Sequence, residues 1–369
     1  MKIFHLVTTI HAGGSENVAI SLAEGFSKNS QAECEIIEIY KTSGTYTVNI
    51  KKKLKETGIR YYSLGSFQKR VSLMVAPFVL IYYIAKKKPD IIHAHTDLPD
   101  FVLSVALRLN RDIGKKAKIV RTIHNTKLWY THNLIGRFVE QMFVQDKIAA
   151  VSNAALEAYK ELRKNNNLEV STKNAVIYNG CLPPQKLPHK FKINPNKINV
   201  AFCGRLVYQK GIDILVSIIG SVTSKHPDQF LFHIVGDGED KHLIDALANK
   251  LSNVLIYGEV PQMSAKLYPF DFLLMPSRFE GLPLITIESS LSKLPVIASN
   301  VAGLEETLPN NWPLLFDINN PTTEALSLFD QIVNESFNKT ELQNQAFDFA
   351  RSRFSLIKML DSYHELYFS

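Results

Sequence analysis

The chain has 369 residues, 46% of them apolar and 21% charged, which favours two domains with separate cores and excludes intrinsic disorder. Cys34, Cys181 and Cys203 stand far apart in no Cys-x-x-Cys pair, no apolar run reaches the length of about 18 residues that spans a bilayer, and the residues after Met1 do not read as a secretion signal; the expectation is a cytoplasmic protein without disulfides or structural zinc. Charge is unequal, with +13 over residues 1–190 and −6 over residues 191–369, so the first half is expected to meet a polyanion: nucleic acid, an anionic membrane surface or a phosphorylated substrate.

In chain order, Ile3–Thr9 reads as a strand, followed by the loop Gly13-Gly14-Ser15-Glu16 and a helix whose apolar face is Val18, Ala19, Leu22 and Phe26. Strands follow at Cys34–Ile39, Ile91–Ala94, Ile119–Thr122, Lys147–Val151 and Ala175–Tyr178. The segment Val71–Ala85 between them is almost wholly apolar, carries Pro77, and is flanked by Lys69-Arg70 and Lys86-Lys87-Lys88. It reads either as a buried helix over the first sheet or as an interfacial helix on anionic lipid. Leu182–Lys197 holds four prolines and four lysines and marks a boundary between domains. Beyond it come strands at Ile198–Phe202, Phe230–Val235, Val254–Tyr257, Phe272–Met275 and Val296–Ala298, with helices from Asp213, Lys241, Pro283 and Thr322. Strand–helix alternation with short connections implies an α/β fold: two Rossmann-like domains with mostly parallel sheets, facing across a cleft. The expected divisions are 1–185, a linker at 186–197, a second domain at 198–350, and a C-terminal helix at 351–369 returning to the first domain.

Ligands of such sheets bind beyond the carboxyl ends of strands, so the residues just after each strand are the candidates. Gly13 and Gly14 suit an anion at a helix N-terminus, although a tight strand-to-helix turn explains them equally well. His124 follows the strand at Ile119. His93 and His95 lie two apart with no third ligand at metal spacing, and packing is their better account. Gly204-Arg205 and Lys210-Gly211 place two cations in a loop after a strand, which suits a diphosphate. The loop Glu280-Gly281-Leu282-Pro283-Leu284 precedes a helix carrying Glu288, with Pro283 expected at the first helical position. Its backbone N–H groups suit an anion, and its two carboxylates suit sugar and ribose hydroxyls. A bare turn explains Gly236-Asp237-Gly238.

Taken together, Gly13-Gly14-x-Glu16, His124, Asn179-Gly180, Gly204-Arg205, Lys210-Gly211, Gly236-Asp237-Gly238 and Glu280-x7-Glu288 resemble the retaining GT-B glycosyltransferases of glycosyltransferase family 4, in order and over nearly the whole chain. The resemblance implies that Arg205 and Lys210 hold a donor diphosphate, with Glu288 on the ribose and Glu280 on the transferred sugar. Gly204 and the N–H groups of Gly281, Leu282, Pro283's neighbour Leu284 and the loop between them complete the donor pocket, while Gly13, Gly14 and His124 close over the donor. His124, Arg205, Lys210 and Glu280 are then the catalytic set. Two positions depart from the family, which usually has a glycine near Lys293 and a glycine pair where Val301-Ala302-Gly303 stands.

The substrate implied is a nucleotide-sugar, with UDP favoured, and no further cofactor. No Asp-x-Asp pair is present to recruit a divalent ion, so transfer without metal is expected, the fixed cations stabilising the leaving phosphate. The acceptor class is a glycan or lipid-linked oligosaccharide of a bacterial surface, and the protein is expected in the cytoplasm, peripheral on the membrane. Three other readings compete. A sugar-nucleotide epimerase would turn over without acceptor, and a silent sugar-nucleotide-binding module would not hydrolyse donor. A nucleic-acid-binding protein is disfavoured, since the lysines lie in separate clusters without a nucleic-acid motif.

Overall fold

Strands β1 (Lys2–Val7), β2 (Glu33–Glu38), β3 (Arg60–Ser63), β4 (Ile91–His95), β5 (Lys118–Ile123), β6 (Lys147–Ala150) and β7 (Asn174–Val176) form one sheet in the order β3-β2-β1-β4-β5-β6-β7. Strands β8 (Ile198–Cys203), β9 (Phe230–Val235), β10 (Val254–Gly258), β11 (Phe272–Met275), β12 (Val296–Ser299) and β13 (Leu315–Phe316) form a second, ordered β10-β9-β8-β11-β12-β13. Every pairing is parallel. The computed structural model describes residues 1–11, 13–28, 32–129, 132–144 and 146–368, so Ala12 of the first glycine loop lies outside the described residues. Two compact units result: Met1–Gly180 with the segment from Leu356 onward, and Cys181–Ser355.

Central strands such as β1 and β8 are buried almost throughout, as parallel strands covered on both faces must be. The edge strands β3 and β13 are the two that apolar runs do not reveal: Arg60-Tyr61-Tyr62-Ser63 is half-exposed, and Leu315-Phe316 is only two residues long. The stretch 186–197 differs from a free linker. Leu187 N–H donates to the Ala265 carbonyl, and the Phe191 ring packs on Tyr257 and Phe270 within the second core.

In the first unit, helix α1 (Gly14–Lys28) follows β1 and helix α2 (Lys69–Lys87) joins β3 to β4. Helix α2 has two unlike sides. Ala76, Leu80 and Ile84 are buried, while Val71, Met74, Val75, Phe78 and Tyr82 on the opposite side are exposed. Helices α3 (Asp97–Leu109) and α4 (Asn133–Glu140) cover the same sheet further on. Beneath them Arg121 of β5 is buried among three carboxylates, 2.8 Å from Asp100, 2.5 Å from Glu140 and 3.3 Å from Asp146. Arg163 adds a second cation 3.4 Å from Glu140. On the other face of β5, the Thr122 hydroxyl meets Tyr363 of the last helix, α5 (Leu356–Phe368), at 2.9 Å. Tyr367 of α5 meets His93 Nδ1 at 2.8 Å, and Gly180 N–H donates to Met359 Sδ. These contacts hold the chain's end on the first unit.

Candidate functional site

In the second unit, β8 ends at Cys203 and the chain passes through Gly204 and Arg205 to a single 3₁₀ turn, Tyr208–Lys210. Gly211 follows at φ 67, the left-handed region, and leads into the helix Ile212–Lys225. A Cβ on Gly211 would lie 2.1 Å from the Pro276 carbonyl oxygen, so glycine is required by both conformation and space. The neighbouring strand β11 ends at Met275, and the loop from Pro276 to Pro283 feeds the helix Leu284–Leu291. Pro283 is the N-cap, and the helix begins one residue later than sequence patterning expects, because Pro283 keeps an extended ψ of 119°.

The two loops are joined side chain to side chain. Lys210 Nζ lies 2.5 Å from Glu280 Oε1, with the two side chains only 14% and 6% exposed. Gln209 Nε2 donates to the Phe279 carbonyl at 3.1 Å and approaches Glu280 Oε2 at 3.5 Å. Arg278 N–H donates to the Gln209 carbonyl, its guanidinium binds both oxygens of Asp213 at 2.7 and 2.6 Å, and its plane stacks over Tyr208. A planar fork on a carboxylate fixes orientation as well as distance. On the far side, Gly303 at φ 81 brings the chain so close that a Cβ would meet the Gly281 and Glu280 carbonyl oxygens at 2.3 and 2.4 Å. Gly303 thus supplies the close approach although Ala302 replaces the second glycine. Lys293, where the family usually has glycine, sits at φ 57 just after the helix ends.

Two predicted residues stand apart from this weave. Arg205 is exposed and its guanidinium pairs with no carboxylate among the described residues. Glu288 lies half-buried on the helix, and burial pushes its carboxyl up to about 7. Its oxygens make no hydrogen bond or ion pair among the described residues, which leaves a partly dehydrated acceptor open to a hydroxyl-bearing ligand. The Gly204, Gly281, Leu282 and Leu284 backbones line these same loops. Gln209, Arg278 and Asp213 are the residues sequence reasoning missed; no spacing rule links positions 65 to 71 apart.

Gly13, Gly14 and His124 belong to the first unit, at the carboxyl ends of β1 and β5. His124 Nε2 is 3.2 Å from His95 Nδ1, and His95 Nε2 is 3.2 Å from His5 Nδ1, forming a chain of three imidazoles. Burial drives His124 and His5 down to about 3. Burial and then the neighbouring imidazoles hold His95 and His93 well below the usual histidine range. All four are neutral at pH 7. His5, His93 and His95 bring ring nitrogens within 4.8 Å of one another, but the nitrogens of His93 face Tyr367 and, at 2.6 Å, Thr122. Those bonds fit packing rather than ligation. Among the described residues His5 Nε2 is buried without a hydrogen-bond partner.

Gly211→Ala is expected to lower stability, the strained backbone costing about 1–3 kcal/mol. Thermal unfolding reads this, and an unchanged midpoint would contradict the close approach at Pro276.

Residues 12–181 match the family described as Glycosyltransferase Family 4, and residues 197–329 match Glycosyl transferases group 1. The O-antigen biosynthesis glycosyltransferase WclY of Escherichia coli is 30% identical over 300 residues, covering 76% of this chain and 79% of the relative. A Campylobacter jejuni alpha-1,4-N-acetyl-D-galactosaminyltransferase, whose acceptor is a GalNAc-bearing undecaprenol diphosphate, is 22% identical over 352 residues, covering 94% and 92%. Among solved structures, Anabaena HepE in complex with UDP-glucose superimposes with a TM-score of 0.79 at 18% identity, covering 99% of this chain and 98% of that one. That likeness carries the fold, which is GT-B.

Proposed function

Because the chain belongs to glycosyltransferase family 4, we propose that it is a metal-independent, retaining hexosyltransferase that moves a sugar from a UDP-sugar to a glycan or lipid-linked acceptor in bacterial surface-polysaccharide synthesis. The observation that carries this reading is the Lys210–Glu280 pair held by two interlocked loops, followed on the next helix by the Glu288 carboxylate, which has no partner among the described residues. UDP-glucose in HepE favours UDP, and WclY and the Campylobacter enzyme favour O-antigen or undecaprenol-linked acceptors.

In this mechanism the bond between the sugar's anomeric carbon and the β-phosphate oxygen breaks, and the acceptor oxygen forms its bond on the same face. The acceptor's proton passes to the departing phosphate. Arg205 and Lys210 stabilise the charge that develops on the diphosphate, in fixed positions that need no rearrangement. Glu280, held by Lys210 and Gln209, accepts from a hydroxyl of the transferred sugar. His124 is neutral, so it donates a hydrogen bond to the sugar or to the diphosphate and adds no net charge. Activity is expected to survive a chelator.

Glu288 gives the reading its pH test. Only the ionised carboxylate accepts from both ribose hydroxyls, and its pKa is raised to about 7 before ligand binds. UDP-sugar affinity should therefore rise as pH climbs through 7, and binding below that pH should release a proton. A UDP-sugar is the right probe because its diphosphate has no ionisation in this range. Glu288→Gln should weaken binding roughly tenfold to hundredfold by losing a charge-assisted bond and should flatten the pH dependence. Calorimetry in buffers of different ionisation heat measures both, and a pH-flat wild-type affinity would remove Glu288 from the ribose.

A further inference from the structure

We propose that the outward face of helix α2 inserts into the interface of an anionic bilayer. The sequence has no acidic residue between Glu56 and Asp90, while Arg60, Lys69, Arg70, Lys86, Lys87 and Lys88 fall in that span. The helix buries Ser72, Ala76, Leu80 and Ile84 against its own unit. Its opposite side would be polar in an ordinary surface helix. Instead Phe67, Met74, Phe78 and Tyr82 are 66%, 75%, 61% and 63% exposed, with Val71 and Val75 between them. Within the helix the spacing 71, 74/75, 78, 82 follows one stripe, and Phe67 lies two residues before its first residue.

Charge complementarity selects the occupant. Lys69 and Arg70 sit in the first turn and Lys86, Lys87 and Lys88 at the last, so the apolar stripe is closed by cations at both ends. Lys86 Nζ lies 5.9 Å from the Tyr82 ring centroid. Apolar side chains buried at headgroup depth, with long cationic chains reaching to phosphates beside them, are the pattern of a helix lying in the membrane plane. No described helix is long and apolar enough to cross the membrane. A second copy of the chain is the competing occupant, but two such faces would bring like charges together at both ends of the stripe.

This inference does not depend on the transferase reading, and its test is separate from donor binding. The purified full chain is sedimented with phosphatidylcholine vesicles and with vesicles containing phosphatidylglycerol, at low and high salt. Binding is expected only to the anionic vesicles and should weaken with salt, since screening shortens the reach of surface lysines. The double variant Met74→Ser/Phe78→Ser should reduce partitioning by about tenfold or more through lost apolar insertion. The circular dichroism spectrum and thermal unfolding of the double variant should match those of the wild type, which shows that it is folded. Tyr82→Trp should shift its fluorescence to the blue on the anionic vesicles. Equal binding to neutral vesicles, or full binding by the double variant, overturns the proposal. So does a wild-type dimer that the double variant converts to monomer, which would assign the stripe to a second copy.

Discussion

Lys210→Ala is expected to lower kcat/KM by about two to three orders of magnitude, the usual effect of removing one preorganised group that stabilises developing charge. The variant loses the cation proposed for the diphosphate and leaves Glu280, 6% exposed, without the ammonium that compensates it. Arg205→Ala makes the contrast. Arg205 is exposed and unpaired with any carboxylate among the described residues, so its removal should weaken UDP binding by about 1.5–3 kcal/mol without lowering the unfolding midpoint. Glu280→Gln keeps the shape of the loop and should spare free UDP while reducing turnover. UDP calorimetry, single-turnover UDP release and denaturant unfolding on the three variants separate these outcomes. Lys210→Ala with wild-type UDP affinity and turnover would refute the assignment; loss of free-UDP binding in Glu280→Gln would show that Glu280 and Glu288 have been exchanged.

Glu280, Glu288, Lys210 and Arg205 are legible in the sequence because each stands next to a local signal: the end of an apolar strand, a glycine and the start of a helix. The central strands are legible for the same reason, since burial on both faces writes an unbroken apolar run. What local signals do not carry is partnership. Arg278 reads as a surface cation until the fold sets Asp213 against it, and Gln209 reads as nothing until Glu280 arrives from 71 positions away. Helix α2 shows the opposite failure, an apolar sequence that is legible while the side facing its own sheet is not. The one-residue error at Pro283 is local, because proline's fixed φ suits both the cap and the first helical position and only ψ separates them.

Arg121→Ala is the substitution expected to harm the fold most. Arg121 is 1% exposed and is shared by Asp100, Glu140 and Asp146, with Asp97 close by. Burial is the largest influence on each carboxyl. It lifts Asp100 to about 7 and Asp97 to about 6, whereas the combined pull of Arg121 and Arg163 leaves Glu140 below its ordinary value. Without the guanidinium, three buried carboxylates face one another, and the loss is expected to be about 3–5 kcal/mol. The sign of its pH dependence follows. Carboxyls whose folded pKa is raised bind more protons in the native state than in the unfolded one, so their contribution is intact below about pH 4, the ordinary range, and is lost as pH rises through the raised values. Urea midpoints of variant and wild type should therefore lie closest at pH 5 and separate towards pH 8. Arg121→Lys should recover only part of the gap, because an ammonium has no planar fork to divide among three partners. β5 is gripped by this cluster on one face and by the contact of Thr122 with Tyr363 on the other, and His124 follows its last residue. A midpoint gap that stays constant from pH 5 to pH 8 would show that ionisation of these carboxyls does not set what Arg121 contributes, and no gap at either pH would show that the cluster does not stabilise the fold through Arg121.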